Sequence, residues 1–131
     1  MIKQGVCVLV LGFDEDNIIK VLVCERKDGN GFCLPGGKID PEERADQAAT
    51  RELFEETGIW IPSSDLRHLY SGVDIEGWVT TCFYLPGKIE TKDFFLSPGS
   101  GEPECHWGAW NELFGPPFGD YNRKVFEVAN L

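Results

Sequence analysis

The segment between residues 37 and 59, GKIDPEERADQAATRELFEETGI, concentrates the side chains of this sequence that could carry chemistry. Glu55 and Glu56 follow Glu52 by three and four residues, so on a helix the three carboxylates share one edge. Like charges at these spacings repel each other, and a cation bound between them would relieve the repulsion. Oxygen ligands without histidine or cysteine suit a hard ion, Mg²⁺ or Mn²⁺, rather than zinc. The spacing therefore predicts a divalent metal site along a helix.

The same segment contains a complete family motif. Every fixed position of the Nudix box, Gly-x5-Glu-x7-Arg-Glu-U-x-Glu-Glu-x-Gly-U with U apolar, is present between Gly37 and Ile59. The chain therefore resembles a Nudix hydrolase, a family that cleaves nucleoside diphosphates linked to another group. The alternative is a glutamate-rich surface helix, but that explains neither the Gly36-Gly37 entry nor the spacing of Glu43 and Arg51.

The resemblance implies a role for each residue of the box. The implied metal ligands are a backbone carbonyl and three carboxylates, those of Gly37, Glu52, Glu55 and Glu56. Glu52 would also take the proton of the attacking water, and Glu43 would support the site as a ligand or hydrogen-bond acceptor. Arg51 would pair with a box carboxylate and hold the helix to its loop, a task that suits a bidentate guanidinium better than a lysine. Gly36 is expected to contact metal or substrate.

Residues outside the box are expected to complete the site. Family members often add one acidic ligand from the loop before the last strand, and Glu104 is predicted here, with Glu102 as the alternative. Arg26 is a candidate for the substrate phosphates, unless it is a plain surface arginine. Phe83 and Asp120 are candidates for contact with the nucleotide; the alternative roles are core packing for Phe83 and an N-cap for Asp120.

Composition limits the classes of partner. With 131 residues the chain predicts one domain, residues 1–131, and its apolar content of 42% is typical of a globular protein. A net charge of −10 disfavours binding to a nucleic acid polymer, whereas a bound metal would admit a small nucleotide. The chain has neither a bilayer-spanning apolar run nor a signal sequence, which predicts a cytoplasmic protein without membrane partners. A homodimer is compatible with the family, but no interface is evident.

The five cysteines are predicted to be reduced. Cys7, Cys24, Cys33, Cys82 and Cys105 are odd in number and have no paired spacing. Four lie within apolar runs, as core thiols do. We therefore expect no disulfide framework.

The pattern of elements predicts a mixed-sheet α/β sandwich, in agreement with the Nudix α/β/α sandwich that the resemblance implies. Asp40 and Glu43 would also fit a capping box, but the resemblance places residues 38–44 in a loop and starts the helix near Ala45. Gly58 would end that helix as a C-cap. The predicted elements are strands at 5–13, 18–25, 31–34, 66–75, 78–85 and 105–110, loops at 26–30 and 86–101, and helices at 45–57 and 120–130.

By elimination, a MutT-like nucleoside triphosphate pyrophosphohydrolase is the expected activity, since signatures of the NADH, coenzyme A and commoner ADP-ribose enzymes are not apparent. An ADP-ribose or nucleotide-sugar pyrophosphohydrolase would share the same carboxylates. A non-catalytic nucleotide sensor is the alternative of another class, although such domains usually lack box glutamates. One departure from the family is Glu42, which occupies a position where many members have glycine.

Overall fold

The computed structural model describes residues 2–26, 29 and 31–131, and these residues form one seven-stranded mixed sheet with a helix on each face. The order across the sheet is β3-β2-β1-β6-β5, with β4 also paired to β1 and β7 to β2. The predicted loop at 26–30 includes positions 27, 28 and 30, which lie outside the described residues. The elements are β1 (Gln4–Phe13), β2 (Ile19–Glu25), β3 (Phe32–Cys33), β4 (Gly36–Lys38), α1 (Ala45–Thr57), β5 (Arg67–Val73), β6 (Val79–Glu90), β7 (Cys105–Gly108) and α2 (Gly119–Ala129).

Strand β1 is the centre of the sheet and is buried on both faces. It runs parallel to β6 and antiparallel to β2 and β4. Val6, Val8 and Val10 pack on the side of α1, whereas Cys7 and Leu9 pack on the side of α2. A continuous apolar run is what such a strand requires. The predicted α/β/α sandwich with a mixed sheet is therefore confirmed.

Helix α1 has the predicted bounds. It ends at Gly58, whose φ of 78° places it in the left-handed region and whose N–H donates to the carbonyl of Phe54 at 2.8 Å. Ala49 and Leu53 are fully buried against the sheet, which turns the glutamate edge toward one side. Among the described residues, no helix combines the length and the apolar composition that crossing a bilayer requires.

Strand β6 extends beyond its predicted end. A loop was expected from Pro86, but β6 continues to Glu90. Its pairing with β1 is irregular there, because Leu9 pairs with Tyr84 while Leu11 pairs with Lys88. Three residues of β6 thus oppose one residue of β1. Proline has no N–H to donate and is tolerated at such a bulge, which is why the strand passes through it.

The prediction that all cysteines are free is wrong for one pair. Cys24 on β2 and Cys105 on β7 form a disulfide, whereas Cys7 and Cys82 are buried thiols. Cys24 and Cys105 are directly opposite each other in the antiparallel β2–β7 ladder, although 81 residues separate them in the chain. Sequence spacing could not reveal the pair because only strand pairing brings the two sulfur atoms together.

Candidate active site

Strand β4 and the glutamate edge of α1 form the two sides of the candidate site. Gly36 and Gly37 pair with Cys7 and Val6 of β1, so β4 lies beside the strand that α1 covers. The N–H of Gly36 donates to Oε1 of Glu56 at 3.2 Å. The predicted approach of the glycine pair to the box carboxylates is therefore present in the fold.

Gly37 permits the closest approach between the two sides. A Cβ atom at this position would lie 2.6 Å from Oε1 and 2.8 Å from Oε2 of Glu52, closer than real Cβ contacts come. A side chain at this position would therefore displace the carboxylate of Glu52, and glycine leaves the carboxylate in place. Carboxylate oxygens next to backbone carbonyls are the donor set that suits Mg²⁺ or another hard divalent cation. The residues present fit the predicted metal.

Arg51 gathers the carboxylates of the loop and the helix. Its Nε and Nη2 donate to the two oxygens of Glu43 at 2.7 and 2.9 Å, and Nη1 donates to Glu52 at 2.9 Å. Nη1 also lies 3.3 Å from Glu55, and Nη2 donates to the carbonyl of Lys38 at 3.0 Å. The hydrogen bond from Arg51 lowers the pKa of Glu43 below its usual value. These contacts agree with the structural role expected of Arg51, and they place Glu43 beside the site.

Glu52 and Glu56 are the two most buried carboxylates of the cluster. Burial raises the pKa of Glu52, and burial together with the charge of Glu52 raises the pKa of Glu56 to about 9. Glu56 is only 5% exposed. Glu55 is more open, with 41% of its side chain exposed. Buried carboxylates with raised pKa values require either protons or a cation, and a metal ion would replace the protons.

The loop before β7 brings one further carboxylate close to the cluster, that of Glu102, which was the alternative to Glu104. The N–H groups of Ser97 and Gly99 donate to the carbonyls of Thr57 and Glu55, so the loop packs on the end of α1. From there the charge of Glu102 is close enough to contribute to the raised pKa of Glu56. Glu104 is exposed, and its carbonyl accepts from the N–H of Glu25. Of the two candidates, Glu102 is thus the one whose charge acts on Glu56, and which of them is the added metal ligand stays a prediction.

A cavity adjoins the carboxylate cluster on the other side of β4. Its volume is about 350 Å³, within the range of small-molecule pockets. Gly36 and Gly37 line it, together with three residues that sequence analysis did not assign to the site: Trp78, Tyr121 and Asn122. Nδ2 of the buried Asn122 donates to the carbonyl of Leu113 at 2.9 Å, which holds the amide in place. Nothing in the local sequence singled out Asn122.

The three predicted substrate contacts lie in different surroundings. Arg26 is 4.4 Å from the ring centre of Phe118 and 3.5 Å from a carboxylate oxygen of Glu76, and both partners line the cavity. Phe83 is instead buried in the core on the α1 side. Asp120 is exposed in the first turn of α2, where Phe118 rather than Asp120 is the N-cap. Core packing, the alternative role for Phe83, agrees with its position, whereas an N-cap role for Asp120 does not; nucleotide contact by either residue stays a prediction.

Comparison with known proteins adds three findings. A family model described as "NUDIX domain" matches residues 1–127. The chain is 48% identical over 83 residues to the "Putative 8-oxo-dGTP diphosphatase YtkD" of Bacillus subtilis (strain 168), covering 61% of this chain and 52% of that protein. It is 29% identical over 113 residues to the 8-oxo-dGTP diphosphatase of Haemophilus influenzae, covering 83% of this chain and 65% of that protein.

A solved structure shares the fold. The crystal structure of a MutT/nudix family protein from Enterococcus faecalis superposes with a TM-score of 0.70 at 28% identity, covering 82% of this chain and 43% of that chain. The chain thus spans about half to two thirds of the length of these curated relatives and less than half of this structural neighbour.

Proposed function

Because this chain belongs to the NUDIX domain family, we propose that it hydrolyses a phosphoanhydride bond of a nucleoside triphosphate with Mg²⁺ as cofactor. Water would attack a phosphorus atom, and the products would be a nucleoside monophosphate and pyrophosphate. One observation supports this most strongly. Gly36 and Gly37 line the cavity on one side and approach Glu56 and Glu52 on the other. A nucleoside in the cavity would therefore extend its phosphates to the carboxylate cluster.

Four carboxylates are proposed to hold the metal: those of Glu52, Glu55, Glu56 and Glu102. When bound, Mg²⁺ neutralises phosphate charge and lowers the pKa of a coordinated water. Glu52 is proposed to accept the proton of the attacking water, because its side chain is only 14% exposed and lies directly beside the backbone of Gly37. Its hydrogen bond from Arg51 fixes the carboxylate for that task, and Glu43 holds Arg51 from the opposite side.

The cavity favours a purine nucleotide among the candidate substrates. Trp78 and Tyr121 offer aromatic surface, and Asn122 offers an amide that can bond the edge of a base. The named activity of the two curated relatives makes 8-oxo-dGTP the first substrate to test. Arg26 remains the proposed phosphate contact, since it packs against residues of the cavity wall. It would have to exchange the carboxylate of Glu76 for the substrate.

The deciding experiment measures formation of the nucleoside monophosphate, the product common to all these substrates, from 8-oxo-dGTP, the ordinary nucleoside triphosphates, ADP-ribose and nucleotide sugars, with Mg²⁺ and with EDTA. We expect metal-dependent turnover of a triphosphate that Glu56→Gln reduces by at least about 100-fold, while circular dichroism shows an intact fold. Glu127→Gln, an exposed carboxylate on α2, is the matched control and should retain full activity.

Two outcomes would revise the proposal. Turnover of ADP-ribose or a nucleotide sugar in preference to every triphosphate would keep the carboxylate site and reassign the pocket. Nucleotide binding without turnover of any substrate would favour a sensor domain.

Asn122→Ala should raise KM for the preferred purine more than it lowers kcat, because the amide acts on the base and not on the phosphates.

A further inference from the structure

The disulfide between Cys24 and Cys105 lies directly beside the candidate metal site. The two sulfur atoms and a carboxylate oxygen of Glu56 all lie within 4.8 Å of one another. Cys24 is fully buried and Cys105 is partly buried. The fold therefore places a redox-active pair in the immediate surroundings of a proposed metal ligand, and neither the hydrolytic reaction nor the nucleotide pocket uses that pair.

The disulfide also anchors one end of the loop that carries Glu102. The loop is held at its start by the hydrogen bonds from Ser97 and Gly99 to the end of α1. Cys105, three residues after Glu102, ties the other end to β2 through the disulfide. The disulfide thus affects two of the four proposed carboxylate ligands. It lies next to Glu56, and it anchors the chain segment that carries Glu102.

We propose that the Cys24–Cys105 pair is a redox modification site that sets the Mg²⁺ affinity of the carboxylate cluster, with the disulfide as the tighter-binding form. This inference rests on the metal site of the proposed function. Two thiol groups occupy more space than one disulfide, and the buried position of Cys24 allows that space only if β7 or Glu56 moves. The thiols can also donate hydrogen bonds to the carboxylate of Glu56, whereas a disulfide cannot. Both effects oppose metal binding in the reduced form.

The interconversion is thiol–disulfide exchange with a small thiol or dithiol as the co-reactant. The thiol attacks Cys105, the more exposed sulfur, and forms a mixed disulfide while Cys24 leaves and takes up a proton. A second thiol attacks the mixed disulfide, which frees Cys105 as a thiol and releases the oxidised small molecule. Two electrons and two protons pass to the protein, and two small-molecule thiols become one disulfide.

The test is calorimetric titration of Mg²⁺ into the whole chain, oxidised and then reduced with dithiothreitol, without any nucleotide. We expect reduction to raise the Mg²⁺ dissociation constant by roughly 10-fold. An effect of this size is typical of losing a group that orients a metal ligand. Cys24→Ala/Cys105→Ala should show one affinity in both buffers. Cys82→Ala is the control, since Cys82 is a buried thiol that packs on the α2 side of the sheet and takes no part in the disulfide, and it should shift as the wild type does.

A second readout needs no variant and excludes a purely structural role. Because linkage is reciprocal, saturating Mg²⁺ should lower the reduction potential of the pair by about 30 mV for each 10-fold difference in affinity. Equal Mg²⁺ affinity in both states, with thiol counting that confirms complete reduction and circular dichroism that confirms the fold, would overturn the inference. Absence of Mg²⁺ binding in both states would instead overturn the metal site of the proposed function.

Discussion

Arg51 and Glu43 form a two-point ion pair across the turn that precedes α1, with N–O distances of 2.7 and 2.9 Å. Glu43 lies in the loop and Arg51 in the second turn of the helix, so the pair joins the two segments that carry the candidate site. The geometry is that of a guanidinium facing a carboxylate with two parallel hydrogen bonds. The pair is therefore the principal link that keeps the loop against the helix.

Replacing Arg51 with lysine should destabilise the protein and reduce turnover. An ammonium group cannot reproduce the two parallel bonds to Glu43 together with the bond to Glu52, so we expect a loss of about 2 kcal/mol in the free energy of unfolding. Urea unfolding measures it. Arg44→Lys is the matched control, because its pair with Asp46 is exposed and should change stability by less than about 0.5 kcal/mol. Equal effects of the two variants would contradict a special role for Arg51.

The metal-free protein should lose stability as the pH rises from about 4.5 to about 9. The pKa of Glu56 is raised from 4.5 to about 9, so within this window the folded protein keeps a proton that the unfolded chain has released. The free energy of unfolding should then fall by up to about 1.4 kcal/mol per pH unit. Urea unfolding in EDTA at several pH values measures the slope.

Glu56→Gln provides the control for this pH dependence, because the amide does not titrate. As the pH rises, the free energy of unfolding of the wild type should fall relative to that of Glu56→Gln. Mg²⁺ binding near neutral pH should also release protons, detectable by calorimetry in buffers of different ionisation enthalpy. A constant difference across the window would show that Glu56 is already ionised.

Glu102 and Glu104 should differ in their contribution to metal binding. Glu102→Gln removes a charge that acts on Glu56 and should weaken Mg²⁺ binding by about 10-fold. Glu104→Gln changes an exposed side chain and should leave the affinity within about twofold. The opposite ranking in a calorimetric titration would restore Glu104 as the ligand.

Replacing Gly37 with alanine should damage the site without unfolding the protein. The new methyl group would lie 2.6 Å from the carboxylate of Glu52 and would displace it. We expect a fall in kcat of at least about 10-fold, because small displacements of catalytic groups are costly. Gly115→Ala is the control, since nothing lies within 4 Å of the added atom. Unchanged kcat in Gly37→Ala would argue against Glu52 as the proton acceptor.

Glu42→Gly should stabilise the protein by up to about 1 kcal/mol. The φ of Glu42 is 68°, in the left-handed region that costs a residue with a side chain about 1–2 kcal/mol, and part of that gain is offset by the greater freedom of glycine in the unfolded chain. Thermal unfolding measures the change. Glu42→Ala separates backbone strain from charge: it removes the carboxylate but keeps the strain, and a comparable gain in that variant would assign the effect to charge.

Local patterns in the sequence predicted the parts of this protein that depend on neighbours in the chain. The bounds of α1, its Gly58 cap and the shared edge of Glu52, Glu55 and Glu56 follow from helical periodicity, because residues three and four apart are adjacent on any helix. The strand predicted at 5–13 likewise agrees with β1.

Other features depended on residues that meet only in the folded chain. Glu102 rather than Glu104 approaches Glu56 because the preceding loop is bonded to the end of α1. Asn122 joins the cavity because α2 packs on the opposite face of the sheet from α1. Phe83 was a candidate for nucleotide contact with core packing as the alternative, and only the folded sheet shows that its side chain lies in the core on the α1 side.

The sequence by itself determined which residues could bind a metal, because their spacing on one helix places them together before any tertiary contact forms. The tertiary structure alone decided what surrounds them: the cavity beyond Gly36 and Gly37, and the disulfide beside Glu56. Cys24 and Cys105 are 81 residues apart and meet only through the pairing of β2 with β7. That pairing is selected by burial of the whole sheet, a property that no short segment of the chain contains.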